Sequence, residues 1–309
     1  MKISLVAPEL QKLAKRNSVP LPMGNALGRR VLRALGRLVA PNPKKLHGIT
    51  LEVRPETRPP MRIYQPQERK SEAALLWIHG GGFVLGNAAL DDRFCAFTAQ
   101  ALGIVVVSVD YRLAPENPFP VPLDDCHAAW TWMQENAASL GIDPKRIAIG
   151  GQSAGGALAA SLVQRVHDEG GNKAAAQWLF CPMLDDRTAT RQELDAMKHW
   201  VWTSRSNATG WRLYLSKPPG SAAFPPYAVP ARREDLRGLP PAWIGVGDID
   251  LLHNESRNFA GRLQASGTDT RFVSVQGAPH GFESWAFDTK MAQEFIADAQ
   301  RWLRQALRM

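Results

Sequence analysis

From about residue 46 onward, short apolar runs alternate with longer stretches of helical periodicity. The apolar runs are "ALLWI" (74–78), "IVVVSV" (104–109), "RIAIG" (146–150), "WLF" (178–180), "AWIGVG" (242–247) and "RFVSV" (271–275). Each has strand length and most are rich in β-branched residues. "ITLEV" and "MRIYQ" precede them as two further strands, joined by a Pro-rich turn. The stretches 91–102, 122–140, 154–169, 254–266 and 288–307 read as helices. Apolar strands that alternate with helices are buried on both faces. The pattern therefore predicts an α/β fold with a mostly parallel central sheet flanked by helices. Residues 186–225 break the rhythm. They hold "KHWVWTSRSNATGWRLYL" between charged and Pro/Gly-rich segments, and read as an insertion of one or two helices. The first 45 residues also look helical. In "LGRRVLRALGRLV", Leu27, Val31, Leu35, Leu38 and Val39 fall at helical spacing, with Arg29, Arg30, Arg33 and Arg37 between them. Such a helix can lie on a membrane or take a partner. The plainer expectation is a helix packed over the body with its arginines in water.

Composition changes this picture little. The 309 residues suffice for one large α/β domain or two small ones, and 45% apolar with 21% charged residues is an ordinary globular balance. The net charge of +8 is unevenly placed. Residues 1–50 carry ten Lys or Arg against the single acid Glu9, which leaves −1 on the other 259 residues. A basic segment on a neutral body, with no recognised binding module, argues against a nucleic-acid partner. No apolar run approaches the ~20 residues of a membrane span, and Pro8 and Glu9 interrupt the N-terminal run. A cytoplasmic protein without stable membrane insertion is expected. Cys95, Cys126 and Cys181 are odd in number and far apart. They read as buried packing residues, with no disulfide framework and no metal-ligand pattern.

The chemistry begins at "GGQSAGG" (150–156). A G-x-S-x-G pattern is weak alone, but here it follows a strand and opens a helix. A serine on such a turn needs a strained backbone and small neighbours, which Gly151 and Gly155 supply. The hydroxyl of Ser153 needs a base to take its proton. His280, in "GAPHGFE" after the strand 271–275, is placed to reach over the sheet. The acid that orients it should follow the strand 242–247. Asp248 and Asp250 both qualify by spacing, with Glu255 a weaker third. A third element is "WIHGGGFVLGN" (77–87). Consecutive glycines after a strand leave backbone N–H groups uncovered, and two of them can face an oxyanion, with a third from Ala154. A phosphate loop would want Lys-Ser or Lys-Thr next, and Phe83-Val84 follow instead.

Taken together, these residues resemble the hormone-sensitive-lipase-like family of α/β-hydrolases, the "HGGG" carboxylesterases common in bacteria. The matching stretches run in family order: His79-Gly-Gly-Gly-Phe83, Tyr111-Arg-Leu-Ala-Pro-Glu116, Asp124-Asp125, Gly151-Gln-Ser-Ala-Gly155-Gly156, Asp250-Leu-Leu-His-Asn-Glu255 and His280-Gly-Phe282. The resemblance implies Asp250 as the catalytic acid, with Glu255 structural. It implies Gly81, Gly82 and Ala154 as oxyanion donors, and His79 and the "YRLAPE" turn as structural. It further implies a core of 46–185 and 226–309 under a variable helical cap of 1–45 and 186–225, and a possible homodimer through an edge strand near the C-terminus. The expected activity is hydrolysis of short- to medium-chain carboxylic esters through an acyl-enzyme, with no cofactor and no metal. Lactone hydrolysis, deacetylation and acyl transfer use the same triad, and a non-enzymatic receptor on this fold is the remote alternative. Phe83, Trp200, Trp202, Trp211 and Phe282 are candidates to line an apolar substrate pocket. One position departs from the family pattern: Gln152 stands where Asp or Glu is usual. A neutral amide is expected to hold the glycine loop by hydrogen bonds, and to leave His280 neutral at a lower pH than a carboxylate would.

Overall fold

The computed structural model describes residues 1–18, 22–39 and 47–309. Residues 19–21 and 40–46, which include part of the expected N-terminal cap, lie outside the described residues. Among the described residues the strands are β1 (Ile49–Arg54), β2 (Met61–Pro66), β3 (Ala74–Ile78), β4 (Val105–Val109), β5 (Ile147–Gln152), β6 (Gln177–Phe180), β7 (Ala242–Gly247) and β8 (Thr270–Val275). They form one sheet in the order β1-β2-β4-β3-β5-β6-β7-β8. β2 runs antiparallel to both its neighbours, and all other pairs are parallel. Helices α1 (Gln11–Asn17) and α2 (Ala26–Val39) precede the sheet. Then α3 (Asp92–Leu102), α4 (Val121–Glu135), α5 (Ala137–Leu140) and α6 (Ala154–Glu169) connect β3 through β6. The inserted segment holds α7 (Gln192–Asp195) and α8 (Ser204–Leu215). α9 (His253–Ala265) links β7 to β8, and α10 (Phe282–Trp285) and α11 (Lys290–Ala306) close the chain.

The continuous apolar runs follow from burial on both faces. Leu76 and Ile78 of β3 pack in the core shared with α4, α6 and α9, whereas Leu75 and Trp77 pack in the core shared with α3 and α11. Each such apolar side chain contributes roughly 1.5–3 kcal/mol on burial, which is why the strands between the helix layers are mostly apolar; the buried exceptions include Ser108 on β4 and Gln177 on β6. The insertion is docked against the body: Trp211, Tyr214 and Leu215 of α8 join the first of these cores.

The orientation of α2 reverses the plainer expectation. Leu27, Val31, Leu35 and Leu38 are 69%, 50%, 50% and 80% exposed, while Arg29 is buried. Arg29 donates from Nη1 to the Met23 carbonyl at 2.7 Å. Arg33 donates to the Val84 carbonyl at 2.9 Å and to the Ala114 carbonyl at 2.7 Å, and pairs with Glu116 at 3.0 Å. The body offers Arg33 two carbonyls and a carboxylate, and the turn before α2 offers Arg29 the Met23 carbonyl. The guanidinium groups of Arg29 and Arg33 therefore turn inward, while Leu27, Val31, Leu35 and Leu38 face outward with Arg30 and Arg37.

Candidate active site

Ser153 occupies the turn from β5 into α6 with φ 55° and ψ −120°. A non-glycine residue held there costs roughly 1–3 kcal/mol, so neighbouring bonds must enforce it. Its N–H donates to Phe180 O at 2.9 Å, and its carbonyl accepts from Met183 N at 2.9 Å and Ala157 N at 3.1 Å. The flanking glycines are required by backbone approach. A Cβ on Gly151 would lie 2.4 Å from Gly155 O, and one on Gly155 would lie 2.1 Å from Ile78 O.

The other two triad candidates come from loops after β7 and β8, at the same edge of the sheet. Ser153 Oγ lies 2.9 Å from His280 Nε2, and His280 Nδ1 lies 2.8 Å from Asp250 Oδ2. The second oxygen of Asp250 accepts from Leu252 N at 2.9 Å. Asp248 has a different partner: it accepts from Gly277 N at 2.7 Å, tying the end of β7 to the loop before His280. Glu255 is buried and accepts from Leu184 N at 2.6 Å; burial pushes its carboxyl up to about 8. Burial by itself would lower the His280 pKa. The charge and hydrogen bond of Asp250, with a smaller contribution from the Glu283 charge, outweigh it and raise the pKa above the ordinary value. A carboxylate facing Nδ1 keeps the proton there, which leaves the Nε2 lone pair for the serine hydroxyl.

The glycine loop curls beside this chain. Gly81 and Gly82 have φ 119° and 60°, and a Cβ on Gly81 would lie 2.1 Å from Leu85 O. A Cβ on Gly80 would be 3.5 Å from Ser153 Cβ, so the loop abuts the serine. The N–H groups of Gly81 and Gly82 meet no backbone carbonyl among the described residues. Ala154 opens α6, so its N–H also lacks an intrahelical acceptor. His79 is buried, stacks on Tyr111 at 4.2 Å between ring centroids, and has Nδ1 2.8 Å from Gly80 O. Tyr111 in turn donates to His79 O at 3.0 Å.

The aromatic expectations need correction. Trp202 does reach the site: its ring centroid lies 5.7 Å from that of His280, and a Cβ on Gly82 would meet its ring at 2.5 Å. It also lines a cavity of about 990 Å³, together with Ser18, Met23 and Asn25 from the N-terminal segment and Arg205, Thr209 and Arg212 from the insertion. Phe83, Trp211 and Phe282 are fully buried and do not line that cavity. Phe83 stacks on Tyr214 at 4.0 Å and meets Trp211 at 5.1 Å, fastening the glycine loop to α8. Phe282 packs on Phe295 of α11 at 5.0 Å, in the core on the other face of the sheet. Trp200 packs half-buried against that same core. Complete burial of a large ring outweighs partial exposure in a pocket wall.

Gln152 also differs from expectation. It makes no hydrogen bond to the glycine loop; its Nε2 donates to Glu283 Oε1 at 2.6 Å and to Ser284 Oγ at 2.7 Å. A buried carboxylate, Glu283, three residues after His280, thus stands beside the position where the motif usually has its acid. The sequence reading missed Glu283; its one signal was an acid directly after "HGF". Burial raises the Glu283 carboxyl, while the bond from Gln152 lowers it. Cys181 lies beside them, with Sγ 3.8 Å from Glu283 Oε1. Burial, then the Glu283 and Asp250 charges, push this thiol well up, so it packs as a neutral group. The replacement Glu283→Gln keeps the acceptor for Gln152 and removes the charge. Less charge near His280 lowers its pKa, so the acid limb of the kcat/KM profile should move to lower pH. An unmoved limb in a folded variant would show that Glu283 has no electrostatic role.

Comparison with known proteins places the chain in a family. Residues 75–284 match a family model described as alpha/beta hydrolase fold. Carboxylesterase NlhH of Mycobacterium tuberculosis is 31% identical, with 98% of each chain covered. Among solved structures, a bacterial heroin esterase superposes with a TM-score of 0.89 at 34% identity, covering 100% of each chain. Esterase LipW from Mycobacterium marinum gives a TM-score of 0.86 at 32% identity, covering 98% of this chain and 96% of LipW. No helix among the described residues is long and apolar enough to cross a membrane. With its glycine loop, serine elbow and parallel sheet, the chain belongs to the hormone-sensitive-lipase-like family of α/β-hydrolases.

Proposed function

We propose that this chain is a serine carboxylesterase for short- to medium-chain carboxylic esters, acting in the cytoplasm. The observation that carries the reading is the hydrogen-bonded run Asp250–His280–Ser153 beside N–H groups that no backbone carbonyl claims. His280 takes the Ser153 proton as Oγ attacks the ester carbonyl. Gly81, Gly82 and Ala154 donate to the oxyanion of the tetrahedral intermediate. His280 then protonates the leaving alcohol, and water activated by the same imidazole releases the acid from the acyl-enzyme. Asp250 holds the tautomer and stabilises the imidazolium. A homodimer would form through the edge strand β8.

Residues 1–45 and 186–225 serve as the helical cap over the core of 46–185 and 226–309. Support comes from contacts between the two segments: Ser18 Oγ accepts from Val201 N at 2.9 Å, and the Met1 amine donates to Lys198 O at 3.1 Å. Both segments also line the cavity that Trp202 lines, and the same indole lies 5.7 Å from the His280 ring between centroids. That cavity has the size of a small-molecule site, and the indole over Gly82 limits the acyl chain. Nitrophenyl esters from acetate to palmitate should give the highest kcat/KM at the short to medium lengths. Trp202→Ala should shift the preference toward longer chains by roughly tenfold, the scale of a few methylenes gained in an apolar site. A wild-type maximum at palmitate would sink the chain-length reading.

A further inference from the structure

The orientation of α2 leaves an apolar stripe facing outward. At 100° per residue, Leu27, Val31, Ala34, Leu35 and Leu38 fall within about 100° of arc. All five are exposed. The opposite side is fixed to the body. Arg29 and Arg33 are bonded inward, and a Cβ on Gly36 would lie 3.7 Å from Asn87 Nδ2 and 3.8 Å from a Leu90 methyl. The helix therefore cannot bury its leucines by rolling without breaking the Arg33 bonds to Val84, Ala114 and Glu116. Arg30 and Arg37 are exposed and lie together along one border of the stripe. The segment that carries them holds +9 within residues 1–50, against −1 on the rest of the chain.

We propose that α2 seats this protein on an anionic lipid surface. The leucine stripe enters the boundary between headgroups and acyl chains, and Arg30 and Arg37 meet headgroup phosphates. This is attachment in the plane of the interface, with no span. A second copy of the chain is the poorer occupant on two grounds. Pairing α2 with its copy would bring two strongly basic segments together. The five aliphatic side chains of the stripe, counted from both copies, reach at most the low end of the ~1,200–2,000 Å² that a stable protein interface buries. An anionic surface uses both the apolar stripe and the charge. Its position gives it a consequence for catalysis. Met23 and Asn25, just before α2, line the cavity, and Arg33 grips Val84 at the end of the glycine loop. A protein seated this way holds its cavity rim against the phase in which apolar esters dissolve.

Sedimentation of the full chain with phosphatidylglycerol or phosphatidylcholine vesicles tests this. The wild type should pellet with phosphatidylglycerol, and much less with phosphatidylcholine or in high salt. The double variants Leu35→Ser/Leu38→Ser and Arg30→Glu/Arg37→Glu should each lower the partition coefficient by about tenfold or more. Both should keep wild-type melting and wild-type hydrolysis of a soluble acetate ester, so loss of vesicle binding is read separately from the esterase activity. Absence of binding to phosphatidylglycerol, or equal binding by wild type and both variants, overturns the proposal. So does a wild-type dimer in vesicle-free sedimentation velocity that Leu35→Ser/Leu38→Ser converts to monomer, because the face is then an interface between copies.

Discussion

Ser153→Ala should lower kcat for ester hydrolysis by on the order of 10⁶ while leaving the fold intact. The size of the loss follows from the absence of a substitute nucleophile. Cys181 is buried with its thiol pushed well above the usual range, so it supplies no thiolate. Residual turnover can come only from the oxyanion donors and from water activated by His280. The fold should survive because the elbow is held by backbone bonds of Ser153, not by its hydroxyl. Alanine keeps the Cβ and so inherits the same positive φ. The hydroxyl bonds only to His280 among the described residues. Hydrolysis of a nitrophenyl acetate, labelling by a fluorophosphonate and a thermal melt together check this. A folded variant that retains more than about one per cent of turnover removes Ser153 as the nucleophile.

The sheet was legible in the sequence because two-sided burial writes itself as unbroken apolar runs. Six strands fall on those runs, β1 and β2 fall on the mixed stretches "ITLEV" and "MRIYQ", and α7 and α8 fall where the rhythm breaks. The elements of the site were legible for a related reason. A backbone forced into tight turns needs glycine, so Gly81, Gly82, Gly151 and Gly155 mark the turns that the structure builds. What the sequence could not carry was partnership between distant side chains. The amphipathic pattern of α2 marks a helix with two faces, but not which face meets the body; that depended on the carbonyls of Val84 and Ala114 and the Glu116 carboxylate. An aromatic reads the same whether it packs in a core or a pocket wall, so Phe83 and Trp211 could not be told from Trp202. Gln152 finds Glu283 across 131 positions, and no local pattern links them.

The choice between Asp248 and Asp250 was the other ambiguity, and it gives the second large effect. Asp250→Asn should lower kcat by on the order of 10⁴ with little change in stability. Its Oδ1 accepts from Leu252 N and its Oδ2 faces His280 Nδ1. An asparagine keeps one of these bonds as an acceptor and presents an amide N–H to the other. The imidazole then favours the tautomer with its proton on Nε2, where it cannot take one from Ser153. The same change removes the charge that, against burial, raises the His280 pKa. Whatever activity remains should therefore show an acid limb at lower pH than the wild type. Asp248→Asn is the matched control, because its single acceptor role toward Gly277 N survives in the amide. That variant should stay within a few-fold of wild type, since no oriented charge is lost. Asp248→Ala should differ from it by destabilising the loop by about 1 kcal/mol, seen as a lower Tm with kcat nearly kept. If Asp248→Asn instead costs more than Asp250→Asn, His280 takes its orientation from the loop that Asp248 holds, and the carboxylate 2.8 Å from Nδ1 is not what sets the tautomer.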